Sequence, residues 1–147
     1  MTADLFEEHR LLIAAADALL AAVRRNPPAR SDEITQLRVR VGTLALAHLR
    51  HEDEMIIKPL TQSGLVDQLP HAAAMMSELR HGHGQYSNHV GTWTVAAIEA
   101  DRAGYEKALV RVIGILHIMI ELEERLLYWP ALKLLHGDEA AQTGKAG

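Results

Sequence analysis

Three clusters of helix-breaking residues cut this chain: Asn26-Pro27-Pro28, the stretch from Pro59 to Gly64, and Asp101 to Gly104. The four stretches left between them all carry apolar residues at spacings of three and four, the signature of one buried helix face. The first, about Ala3 to Arg25, runs Leu5, His9, Leu12, Ala16, Leu19, Val23. The second follows Ser31, a candidate N-cap with Asp32 and Glu33 in the favourable first turn, and runs Ile34, Leu37, Val41, Leu44, His48, with Pro59 expected to end or kink it. The third, weakened by Pro70, Gly82, Gly84 and Gly91, runs Met76, Leu79, His83, Tyr86, Val90, Trp93, Ala97. The fourth runs Val110, Ile113, His117, Ile120, Glu124, Leu127 and closes near Pro130. Four amphipathic segments with short connections predict an all-α fold, an up-down-up-down antiparallel four-helix bundle over residues 1–135, with residues 136–147 a flexible tail.

Each of the four stripes carries one histidine where a leucine or isoleucine belongs: His9, His48, His83 and His117. A lone histidine on such a face is more often a satisfied core residue than a ligand. One on every helix reverses that reading. Two of the four bring a carboxylate one turn later, His48 with Glu52 and His117 with Glu121, and the i,i+4 spacing places nitrogen and oxygen side by side on one face. Two buried glutamates carry a desolvation cost that neutral imidazoles cannot offset, whereas divalent cations can. The donor set suits iron first, then manganese or zinc. Six protein groups cannot complete two octahedra, so open positions remain for dioxygen, peroxide or nitric oxide.

Composition narrows the alternatives. The chain has no cysteine, which excludes disulfides, thiolate zinc sites, iron–sulfur clusters and cysteine nucleophiles. Its formal charge is -4, without a dense basic run, which argues against nucleic acid. Phe, Trp and Tyr make up only 4% of residues, while Ala and Leu carry most of the apolar content, favouring helices over strands. The acidic opening MTADLFEEH reads as no export signal, and the apolar run from Leu11 to Val23, interrupted by Asp17, is too short for a bilayer; the reading is a cytoplasmic protein with no membrane partner.

In this pattern the sequence resembles the hemerythrin-like family, the HHE cation-binding domains. The family motif is a histidine, then H-x-x-x-E, then a histidine, then H-x-x-x-E. His9, His48 with Glu52, His83, and His117 with Glu121 match it, and the resemblance covers about Leu5 to Pro130. It implies a four-helix bundle around two non-haem iron ions with a carboxylate bridge and an oxo or hydroxo bridge. By that resemblance His9 and His48 terminate one iron, His83 and His117 the other, and Glu52 and Glu121 bridge. The invertebrate oxygen carriers place a second histidine one turn further along the third helix, where this chain has Ser87 after His83.

Other residues stay open at this level. His81 competes with His83 but lies about 200° round the helix from it. His51 reads as an alternative or outer ligand, Glu124 as a spare ligand, an imidazole-orienting partner or a surface charge. Tyr86 reads as core packing or as a hydrogen-bond donor near the metal. The expected function is reaction with, or binding of, a small oxidant in oxidative or nitrosative defence, by peroxide disproportionation or nitric oxide reduction. The alternatives are an oxygen-, iron- or redox-sensing module, an oxygen-binding one, and a metal-free bundle used for interaction. A homodimer is a further expectation.

Overall fold

The computed structural model describes residues 3–136, so the tail expected over 136–147 lies, beyond His136, outside the described residues. Four long helices pack together: α1 (Ala3–Arg24), α2 (Ser31–Glu52), α4 (Ala72–Thr92) and α6 (Arg102–Glu123). A short helix α3 (Lys58–Ser63) extends α2, and another, α5 (Val95–Ala100), precedes α6. No helix among the described residues is long and apolar enough to cross a membrane.

The α1 stripe buries as its spacing requires: Leu5, His9, Leu12, Ala16, Leu19 and Val23 are all nearly inaccessible. Helix α1 packs against both α2 and α6, while α4 packs mainly against α6. Ile34, Val41 and His48 of α2 close onto the same interior. The apolar core falls into two parts. One gathers Leu12, Leu19, Ile34, Val41, Tyr105 and Leu109. The other gathers Leu5, Ile56, Leu60, Leu79, Leu127 and Tyr128. At roughly 1.5–3 kcal/mol for each large side chain fully buried, these two cores supply the gross drive to fold, and the polar site lies where they meet.

Several boundaries differ from the sequence-based expectation. Pro59 does not end α2: the chain winds through a π-helical turn, Asp53–Ile57, and continues into α3 as far as Ser63. A second π turn, Glu124–Tyr128, follows α6, and the helix runs on through Pro130. Proline has no N–H to give and crowds the carbonyl four residues back, so a helix that keeps going must loosen just before it. Ser31 is the first helical residue rather than the cap; its hydroxyl donates to Glu99 at 2.7 Å. The third segment breaks at Trp93, after which the Thr94 hydroxyl caps α5 and the Asp101 carboxylate caps α6.

Candidate metal centre

Four buried donors converge between the two cores: His9 from α1, His48 and Glu52 from α2, and Glu123 from α6, with their ligand atoms all within 4.8 Å of one another. His9 Nε2 lies 3.4 Å from Glu123 Oε2, and His48 Nε2 lies 3.4 Å from Glu52 Oε2. That is the spacing of two donors each roughly 2.1 Å from one shared ion at a near-tetrahedral angle. Tyr128 adds a phenol to the group. Its hydroxyl donates to Glu52 and lies 3.0 Å from His48 Nε2, 3.3 Å from His9 Nε2 and 3.2 Å from Glu123 Oε2.

Both imidazoles are oriented from behind. His48 Nδ1 donates to Glu8 Oε1 at 3.2 Å, and His51 Nδ1 shares that carboxylate at 3.1 Å. His9 Nδ1 faces Glu124 Oε2 at 3.4 Å. A carboxylate on Nδ1 fixes the tautomer that leaves Nε2 free to accept a metal and makes that nitrogen more basic. Glu124 and His51, whose roles the sequence left open, thus stand behind the cluster rather than in it.

Without a metal, the charges sort themselves by sharing protons. Burial, then the positive charge His48 can carry, lower the His9 pKa to about 4, so its ring is neutral. Burial also pulls His48 down, but Glu52 and Glu8 outweigh it and hold this ring above its ordinary value. Burial pushes Glu52 up, yet its hydrogen bonds with His48, Glu123 and Tyr128 hold it below the usual carboxylate range. Burial, and then the Glu52 charge, push Glu123 up to about 10, so it keeps its proton at neutral pH. The Tyr128 phenol is raised well above its ordinary value by burial and by the two glutamates. A divalent ion bound to these donors would replace the Glu123 proton and supply the positive charge that two buried carboxylates need.

The expected donors divide. His9, His48 and Glu52 are in the cluster. His83 is half-buried and lines the same cavity as the cluster; burial lowers its pKa, and it feels the charges of Glu52 and His48. His81 is exposed. Tyr86 lines the cavity, but no hydrogen bond links it to the four donors. His117 and Glu121 are not brought to the site. The His117 ring is 48% exposed, with Asp17 at 3.8 Å, and Glu121 is exposed. The cause is helical phase: the buried stripe of α6 is Tyr105, Leu109, Ile113, Ile120 and Glu123, about 60° round from the expected one at 100° per residue. Val110, placed on the expected stripe, is 40% exposed.

Glu123 and Tyr128 were missed, though the sequence holds a signal for them. Glu52 stands seven residues before Pro59, and Glu123 stands seven before Pro130, with an acidic residue following each glutamate. The two prolines mark equivalent positions in two copies of one device, each with a π turn after its glutamate. In that alignment Met119 occupies the place of His48, and Tyr128 that of Ile57.

No family model, curated protein or solved structure matches the chain.

Proposed function

We propose that this chain is a non-haem iron protein of the hemerythrin-like kind, an up-down-up-down bundle whose buried centre binds or converts a small oxidant such as peroxide, nitric oxide or dioxygen. The observation that carries the reading is the outer pair of carboxylates. Glu8 and Glu124 each face the Nδ1 of a buried histidine whose Nε2 is turned toward Glu52 or Glu123. Helix packing has no use for that arrangement; metal ligation does. Two nitrogens with carboxylate oxygens suit ferrous or ferric iron better than the thiolate-seeking metals.

His9, His48, Glu52 and Glu123 account for one ion. A second would draw on His83 and the remaining carboxylate oxygens, without His117 or Glu121. Bound iron supplies one-electron steps and an electrophilic centre for the oxidant. The chain supplies the rest. His9 and His48 are held in the ligating tautomer, Glu52 and Glu123 neutralise the cation, and the Tyr128 hydroxyl holds a proton between them at the edge of the donor set. Peroxide disproportionation, two peroxides giving dioxygen and two waters, needs no outside reductant but passes protons from one peroxide to the other, and the Tyr128 hydroxyl is the group we assign to relay them.

The test is metal analysis of protein purified aerobically without a metal-affinity tag, with a near-ultraviolet and visible spectrum. Iron at one or two ions per chain, lost in Glu52→Gln and Glu123→Gln, is the expected result. Protein that stays free of iron after anaerobic reconstitution with ferrous iron would leave only a buried proton-sharing network, and with it the metal-free reading.

A further inference from the structure

Beside the cluster lies a cavity of about 940 Å³, walled by all four long helices. Sites for small organic ligands run from about 300 to 1,000 Å³, so this space far exceeds what peroxide or a diatomic needs. Leu12, Ala16, Ala45, Leu109 and Leu116 are among the side chains that make its wall apolar. At its rim Val39 and Leu46 of α2 are 61% and 52% exposed, and Val90 of α4 is 42% exposed. Apolar side chains left open round a mouth are what a hydrocarbon entering from water would meet.

The cavity is not apolar throughout. Its lining carboxylates, Glu52 and Glu123, sit at the cluster end, whereas Arg38 lines it ten residues before His48 on α2. At 1.5 Å per residue this separates the two ends by about 15 Å, the reach of roughly a dozen carbons. Arg10, Arg24, Arg25 and Arg30 pair with carboxylates at the surface. Arg38 does not: its guanidinium donates to the Val90 carbonyl at 3.3 Å and lies 5.7 Å from the centre of the Tyr105 ring. Tyr105 lines the cavity as well, and its buried hydroxyl has no hydrogen-bond partner among the described residues. The unpaired buried phenol is the costly element, and an anion held by the Arg38 guanidinium beside it would give that hydroxyl an acceptor.

We propose that the cavity binds a single-chain aliphatic carboxylate, its head group at Arg38 and its hydrocarbon tail running toward the His9/His48/Glu52/Glu123 cluster. The charge pattern sets the orientation. The anionic head meets Arg38, and the two glutamates at the far end receive only the apolar tail. A helix from a second copy of the chain would fill the apolar space but leave Arg38 without its counter-ion. Binding does not depend on iron, so this proposal and the metal reading stand or fall separately.

The experiment is calorimetric titration of the full chain with dodecanoate, kept below its micellar concentration, on metal-free and iron-reconstituted protein. The expected result is one dodecanoate per chain in both forms, binding at least tenfold weaker to Arg38→Met, and dodecanol binding wild type and Arg38→Met equally. Gly42→Leu places a side chain in the lining beside the Tyr86 hydroxyl, which would lie 3.8 Å from a Cβ at that position, and should weaken dodecanoate and dodecanol alike. Circular dichroism confirms that each variant is folded. Absence of dodecanoate binding, equal binding by wild type and Arg38→Met, or a concentration-dependent dimer that excludes dodecanoate would each overturn the proposal.

Discussion

Glu123 and Tyr128 are five residues apart on one helix, yet the Tyr128 hydroxyl lies 3.2 Å from the Glu123 carboxylate. In a regular α-helix they would point about 140° apart. The π turn between them widens the winding: the Trp129 N–H reaches back to the Glu124 carbonyl, five residues earlier, and rotates Tyr128 onto the Glu123 face. The site therefore depends on a local departure from helical geometry.

The Tyr128 hydroxyl donates to Glu52, whose other hydrogen-bond partners are His48 and Glu123. In the metal-free chain, Tyr128→Phe should lower stability by about 1.5–3 kcal/mol, the worth of one hydrogen bond to a charged group. Urea denaturation followed by circular dichroism measures it. An unchanged midpoint would mean that the hydroxyl is not the group holding Glu52.

Proton sharing gives the metal-free protein a particular pH dependence. Glu123, raised from its ordinary value to about 10, contributes stability that is fully present below its unfolded pKa and lost as pH rises toward 10. His9, lowered to about 4, works in the opposite sense: its contribution is present above about pH 6.5 and is lost as pH falls toward 4. Between about pH 6.5 and 9 Glu123 and the raised His48 act in the same sense, so wild type should weaken with rising pH and Glu123→Gln should weaken less steeply. Denaturation midpoints at pH 6.5 and pH 9 decide this, and parallel slopes for the two proteins would contradict it.

The outer carboxylates act through the histidines they hold. Glu8→Gln keeps the shape but removes the charge behind His48 Nδ1 and His51, and should weaken iron binding about 10–100-fold. Competition against a ferrous chelator reads the change. Wild-type affinity in Glu8→Gln would reduce Glu8 to a surface charge.

How far the sequence could be read follows from these particulars. The α1 stripe was legible because every third or fourth residue from Leu5 to Val23 obeys one phase and all of them bury. His48 with Glu52 was legible because a regular α-helix joins them. The fourth helix misled because His117 and Glu121 copy the same spacing on a face that turns outward, while the buried face carries Met119 one turn before Glu123 where a histidine would have drawn notice. Tyr128 could not be placed by α-helical periodicity at all, since a π turn stands between it and Glu123. The cavity was equally hidden. Residues such as Val90 satisfy the apolar pattern of α4 without being covered by a facing helix.

The disagreement on α6 makes the sharpest test of the site. Two glutamates two residues apart, Glu121 and Glu123, project to different sides of one helix, and only one side can face the donors from α1 and α2. Replacing His117 and Glu121 together by alanine removes exposed side chains with no buried partner, so stability should change by no more than about 0.5 kcal/mol for each. Iron content should match wild type, whereas Glu123→Ala, which deletes a buried oxygen donor, should lose most of it. Iron lost from the His117/Glu121 double variant and kept by Glu123→Ala would mean that α6 presents its other face when metal is bound. The bridging role would then return to Glu121.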